Sequence, residues 1–140
     1  MTKSDLQQLA ELRIKEAKLL LDNGHYQGSY YICGYAIEFA LKACIVRGLQ
    51  DQWLDKAVVK ELSKLYTHEL AILINFNGIL KKELDALADT NPQFGAAWRL
   101  ALQWSPDRRY ELNIGERDAY DFYEAVTGTN GILPWLRTKW

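Results

Sequence analysis

The chain has 140 residues, 49% hydrophobic and 25% charged, which is ordinary globular composition, long enough for one domain with a real core. Lysine and arginine total 17 against 18 acids, a formal charge of −1, so there is no global attraction for nucleic acid and any RNA contact must be a local patch. The opening MTKSDLQQLAELRIKEAK lacks an apolar run of signal-peptide type and no later segment reads as a lone membrane span, so a cytoplasmic protein is expected.

Ser4 can cap a first helix running to about Asn23, with Gly24 as its stop. Its apolar stripe is Leu6, Leu9, Ala10, Ile14, Ala17, Leu20 and Leu21, and Arg13 projects from the middle of it. A guanidinium there either finds an anionic partner, Glu38 being the nearest by topology, or snorkels at the bundle edge. DNGHY is a tight turn that makes the next helix an antiparallel neighbour.

That next helix, YQGSYYICGYAIEFALKACIVR from Tyr26 to Arg47, is apolar around most of its circumference and should be buried on most sides, with Gly48 closing it. One narrow polar line interrupts it: Tyr31, Tyr35, Glu38 and Lys42, with Glu38 placed four residues before Lys42 in the favourable orientation for an ion pair. An acid, a base and several tyrosines argue against a membrane span. Cys33 and Cys44, eleven residues apart on this helix and hence about 16 Å along its axis, cannot bridge each other and are expected as buried thiols.

The stretch LQDQWLDKAVVKELSKLY has weak helical periodicity through Trp53, Leu54, Ala57, Val58, Leu62 and Leu65, suiting a short helix or an irregular crossover. Thr67 then offers a cap for HELAILINFNG, which Gly78 closes, and ILKKELDALAD follows as a short amphipathic piece. Asn91-Pro92 starts a helix carrying Phe94, Trp98, Leu102 and Trp104. Ser105-Pro106-Asp107 breaks the pattern, and the loop SPDRRYELN holds Arg108 and Arg109 beside Tyr110. The last segment, from about Gly115 to Thr138, reads as one long helix bent near Gly128 to Pro134. Strand alternation is absent, so the expected architecture is all-α: an antiparallel helical bundle of five or six helices forming a single domain over residues 1–140.

Two histidines and two cysteines without CxxC or HExxH spacing disfavour zinc, and no phosphate loop, dinucleotide glycine motif or nucleophile elbow is present. No metal and no cofactor is expected. What remains is the polar line on the second helix, His68 at the start of a buried helix, and Arg108, Arg109 and Tyr110 in the loop. Histidine suits proton transfer near neutral pH, and loop arginines suit phosphate. RNA cleavage without a metal needs an acid or base at the 2′-hydroxyl and a cation at the developing phosphorane charge. His68 and Arg109 are the candidate catalytic pair, with Tyr31, Tyr35, Glu38, Lys42, Arg108 and Tyr110 as candidate ligand-binding residues. Each also has a plainer role: His68 as capping and packing, Glu38 with Lys42 as a structural ion pair, and the tryptophans Trp53, Trp98, Trp104, Trp135 and Trp140 as core or interface material rather than base-stacking platforms.

Residues 10 to 47, AELRIKEAKLLLDNGHYQGSYYICGYAIEFALKACIVR, resemble the HEPN family (higher eukaryotes and prokaryotes nucleotide-binding), above all in a second helix of the form YYxxGYAxExALKA. The likeness continues more weakly through THEL at 67 to 70 and WSPDRRYE at 104 to 111. The resemblance implies an antiparallel bundle that usually dimerises. It also implies either a metal-independent ribonuclease of toxin-antitoxin or defence systems, often beside a minimal nucleotidyltransferase, or a non-catalytic module binding RNA or nucleotide. Catalytic members are similar to one another in an arginine followed after four to six residues by a histidine. This chain departs from that pattern: no histidine follows Arg108 or Arg109, and no arginine lies within six residues before His68 or His25. The resemblance therefore implies first a homodimeric binding or assembly module for nucleotide, RNA or a partner nucleotidyltransferase. The alternatives are an endoribonuclease with a composite His68/Arg109 site and a structural dimerisation domain for protein interaction.

Overall fold

A computed structural model of the chain describes residues 1–50 and 63–140. The stretch with Trp53, Leu54, Ala57, Val58 and Leu62, whose periodicity suggested a short helix or crossover, lies outside the described residues. The fold is all-α, and no strand occurs among the described residues. Among the described residues seven α-helices run in the order α1 (Lys3–Asp22), α2 (Tyr26–Gln50), α3 (Leu70–Phe76), α4 (Gly78–Thr90), α5 (Pro92–Leu102), α6 (Glu116–Thr127) and α7 (Ile132–Arg137), with 3₁₀ turns at Ser63–Tyr66 and Pro106–Tyr110.

The first helix starts two residues earlier than Ser4 suggested. Thr2 is its cap: the Thr2 hydroxyl accepts from the Asp5 amide at 3.1 Å, and the Asp5 carboxylate accepts from the Thr2 amide at 2.7 Å. Leu6, Ala10, Ile14 and Ala17 form the buried stripe, and the small alanines let α2 approach closely. Gly24, at φ +78°, makes the reversal into α2 where a side chain would be strained. The buried Ser29 hydroxyl donates to the Ala17 carbonyl at 2.8 Å and pins the two helices across their interface.

α2 is the central element, touching α1, α3, α6, α7 and the 3₁₀ turn at 106–110. Cys33, Ala36, Ile37, Ala40, Leu41, Ala43, Cys44 and Ile45 are buried along it, and both cysteines are free. Gly48 does not stop this helix, which continues to Gln50, because a glycine that keeps a helical φ carries on the hydrogen-bond ladder. Arg13 does not reach Glu38. It pairs with Glu16 one turn along its own helix at 2.5 Å, at the half-buried edge of the bundle.

Thr67 lies upstream of α3, and its hydroxyl accepts from the Glu69 amide in a local turn, while Glu69 takes the capping position. Gly78 does not close α3 but opens α4. Asn77 separates the two, its side-chain oxygen accepting from the amides of Ile79 and Leu80 at 3.1 Å. Asn91 repeats the device for α5, with Pro92 in the first turn as the sequence indicated. The final segment is two helices rather than one bent one. A Cβ on Gly131 would sit 2.8 Å from the carbonyls of Val126 and Gly128, so the chain breaks at the glycines. Pro134 falls in the first turn of α7, where its missing N–H costs nothing. Trp98 and Trp104 are buried and unavailable to stack bases, while Trp135 and Trp140 are partly buried against the core.

Candidate functional site

The site is built around Glu38, a carboxylate buried on α2 with only 2% of its side chain exposed. A charge taken out of water must be paired. Lys42 Nζ donates to Glu38 Oε1 at 2.7 Å, and His68 Nδ1 lies 3.0 Å from both carboxylate oxygens. A carboxylate that is half of an ion pair only accepts, so Nδ1 carries a proton and the second ring nitrogen, Nε2, is the one free to accept. His68 itself is about half exposed, at 53%, so a buried acid orients an imidazole that opens outward.

Tyr35 supports the ring from the side, edge-on to His68 at a centroid distance of 6.0 Å and edge-on to Trp104 at 5.1 Å. Its hydroxyl shares a hydrogen bond of 3.2 Å with Tyr31, one turn earlier. Burial, and then the Tyr31 hydroxyl beside it, hold the Tyr35 phenol well above the ordinary tyrosine range, so it remains a neutral donor.

The loop after α5 is fastened over this seam. The Trp104 indole lies flat on Gly34: a Cβ at that position would fall 1.9 Å from Trp104 Cε2. Trp104 Nε1 donates to the Tyr31 carbonyl at 3.1 Å, and Gln27 Nε2 donates to the carbonyls of Arg109 and Arg108 at 2.7 and 3.3 Å. The two arginines then part company. Arg108 turns inward, stacking over Tyr30 at 5.2 Å, meeting its hydroxyl at 3.4 Å and pairing with Glu111 at 3.0 Å. Arg109 turns outward and donates to the Tyr110 hydroxyl at 2.8 Å, stacked over that ring at 4.6 Å. Hydrogen bonds that Arg109 donates to the Tyr110 and Tyr31 hydroxyls raise its guanidinium further above its ordinary range, and among the described residues it has no carboxylate partner. Its charge is satisfied in geometry but not neutralised.

His68 and Arg109 line one groove of about 730 Å³, together with Thr67, Glu69, Trp104 and Asp107. Tyr31, Tyr35, Glu38 and Lys42 form the layer behind it, Arg108 braces the loop from within, and Tyr110 stands exposed beside Arg109. No group of three or more potential metal ligands is found among the described residues. Sequence reasoning passed over Gly34, Gln27, Glu69 and Asp107 as parts of the site, and weighed Trp104 only as a base-stacking ring or core material. Gly34 carried a usable signal, since a glycine in a buried helix marks the close approach of another group.

The family model of the HEPN domain matches residues 4–93, well over half of the chain. The chain belongs to the HEPN family. No curated protein and no solved structure matches it. The part matching the HEPN domain runs from α1 into the first turn of α5, so it includes the Glu38 seam and His68 but ends before the arginine loop. No described helix of this HEPN protein is long and apolar enough to cross a membrane.

Proposed function

We propose that this HEPN domain binds a phosphate-bearing ligand, a nucleotide or single-stranded RNA, in the groove between His68 and Arg109. The observation that carries this reading is the outward-facing, uncompensated guanidinium of Arg109 sharing one groove with a histidine whose inner nitrogen is held by buried Glu38. Arginine is suited to forked contacts with phosphate oxygens, and tyrosine partners preset its direction without cancelling its charge. Tyr110, 70% exposed beside Arg109, offers a ring for a base. Fluorescence anisotropy with a labelled single-stranded oligoribonucleotide tests the reading. Arg109→Ala should weaken binding about tenfold, the scale of one charged hydrogen-bonding contact. Equal affinity of the variant would remove it.

A second reading, metal-independent ribonuclease, is favoured by the Glu38–His68 geometry in particular. His68 Nε2 would take the 2′-hydroxyl proton, the 2′-oxygen would attack phosphorus, and the P–O5′ bond would break to leave a cyclic phosphate and a 5′-oxygen protonated by solvent. Arg109 would stabilise the charge on the phosphoryl oxygens. The same oligonucleotide kept with protein in chelator decides between binding and cleavage. Cut RNA that stays whole with His68→Ala establishes the enzyme, whereas intact RNA with normal binding leaves the module. The family's habit of dimerising supports a homodimer, alone or beside a nucleotidyltransferase, and a single monomer boundary in sedimentation at micromolar concentration would refute it.

A further inference from the structure

The groove holds charges of both signs that do not neutralise one another. Glu69 and Asp107 line it with His68 and Arg109, and among the described residues neither carboxylate forms an ion pair. Asp107 stands two residues before Arg109 on the same 3₁₀ turn, yet Arg109 reaches for tyrosine hydroxyls instead. One fixed cation sharing its groove with two carboxylates that form no ion pair among the described residues is the wrong lining for a track of phosphates, because each acid repels the next phosphate along a strand. It is the right lining for a unit with a single phosphodiester and hydrogen-bond donors on either side. Carboxylates are pure acceptors, and ribose hydroxyls and exocyclic amines are the donors a nucleotide presents.

Building on the proposed phosphate-binding groove, we propose that Glu69 and Asp107 are specificity-determining residues. They accept from the ribose hydroxyls of one nucleotide unit whose phosphate lies on Arg109, so the site reads a single ribonucleotide step and disfavours extended or duplex polyanions.

The test is anisotropy titration of labelled hexauridylate and hexadeoxyuridylate at pH 8 across a salt series. These probes differ only at the 2′ position. One engaged phosphate predicts a slope of log affinity against log salt of about −0.7, and the ribo-oligomer should bind about tenfold more tightly than the deoxy one. The Glu69→Gln/Asp107→Asn variant changes only exposed side chains. It should bring the two probes to within about twofold of each other, with its circular dichroism unchanged, and should bind the deoxy-oligomer more tightly than the parent. A slope of about −2 or steeper, or equal affinity for the two probes that still depends on Arg109, overturns the single-unit proposal while leaving the groove as a phosphate site. Binding that ignores Arg109→Ala, or no binding of either probe, overturns the groove reading and this inference with it.

Discussion

Glu38 is the residue on which the site turns, because among the described residues it is the one buried carboxylate and it faces two donors at once. Its expected ion pair with Lys42 is present at the predicted spacing, but spacing within one helix gave no way to foresee that the third member comes from residue 68. Removing one side of a buried pair leaves an uncompensated charge, whereas replacing both sides with apolar groups of similar shape is often close to neutral. Glu38→Ala should therefore cost about 3 kcal/mol in urea denaturation. The Glu38→Leu/Lys42→Met double variant should cost clearly less than that single change, since His68 is exposed enough to be rehydrated. A double variant as unstable as the sum of the two singles would mean that the two side chains are not coupled, and hence that their pairing is not what the fold depends on.

At the scale of elements, the helices whose signals are local were legible. Asn91-Pro92, the Gly24 reversal and the stripe of α1 all concern residues within a turn or two of each other. Helix ends read from a glycine alone were not. α2 continues through Gly48, and α3 and α4 part at the Asn77 side-chain cap, one residue before Gly78. The arginine loop was the least legible, because its position depends on contacts far apart in the chain, among them the Gln27 side chain on the Arg109 carbonyl and the Trp104 ring on Gly34. That contact makes a prediction with a change of sign. In the parent, Gly34→Ala drives a methyl into the indole and should destabilise by roughly 2–3 kcal/mol, as overpacking does. In a Trp104→Ala background the space is open, and the same substitution should stabilise by about 1 kcal/mol through helix propensity alone. Chemical denaturation of the four proteins measures both numbers, and a loss of equal size in both backgrounds would show that the indole is not what Gly34 accommodates.

For the whole molecule, enclosing α2 has a consequence for its titrating side chains. Burial pushes the Cys33 thiol far up, and pushes Cys44 from its ordinary 9.0 up to about 12, with Arg47 and Lys139 pulling weakly the other way. The phenols of buried Tyr30 and partly buried Tyr35 move upward for the same leading reason. The folded chain thus keeps these protons on the alkaline side, where the unfolded chain releases them. With fewer protons bound in the unfolded state, stability falls as pH rises. The fall begins near pH 9 and, for Cys44, persists to about 12, because that is the interval between its two values. Each thiol contributes a slope of about 1.4 kcal/mol per pH unit in its window. Urea midpoints of the parent and of Cys33→Ala/Cys44→Ala, compared at neutral pH and at about pH 10, isolate that contribution from lysine and tyrosine titration common to both. The parent should lose more stability than the alanine variant over the interval, by roughly 1–3 kcal/mol. Parallel losses would mean that the thiols ionise in the folded bundle, and hence that water reaches the inner face of α2.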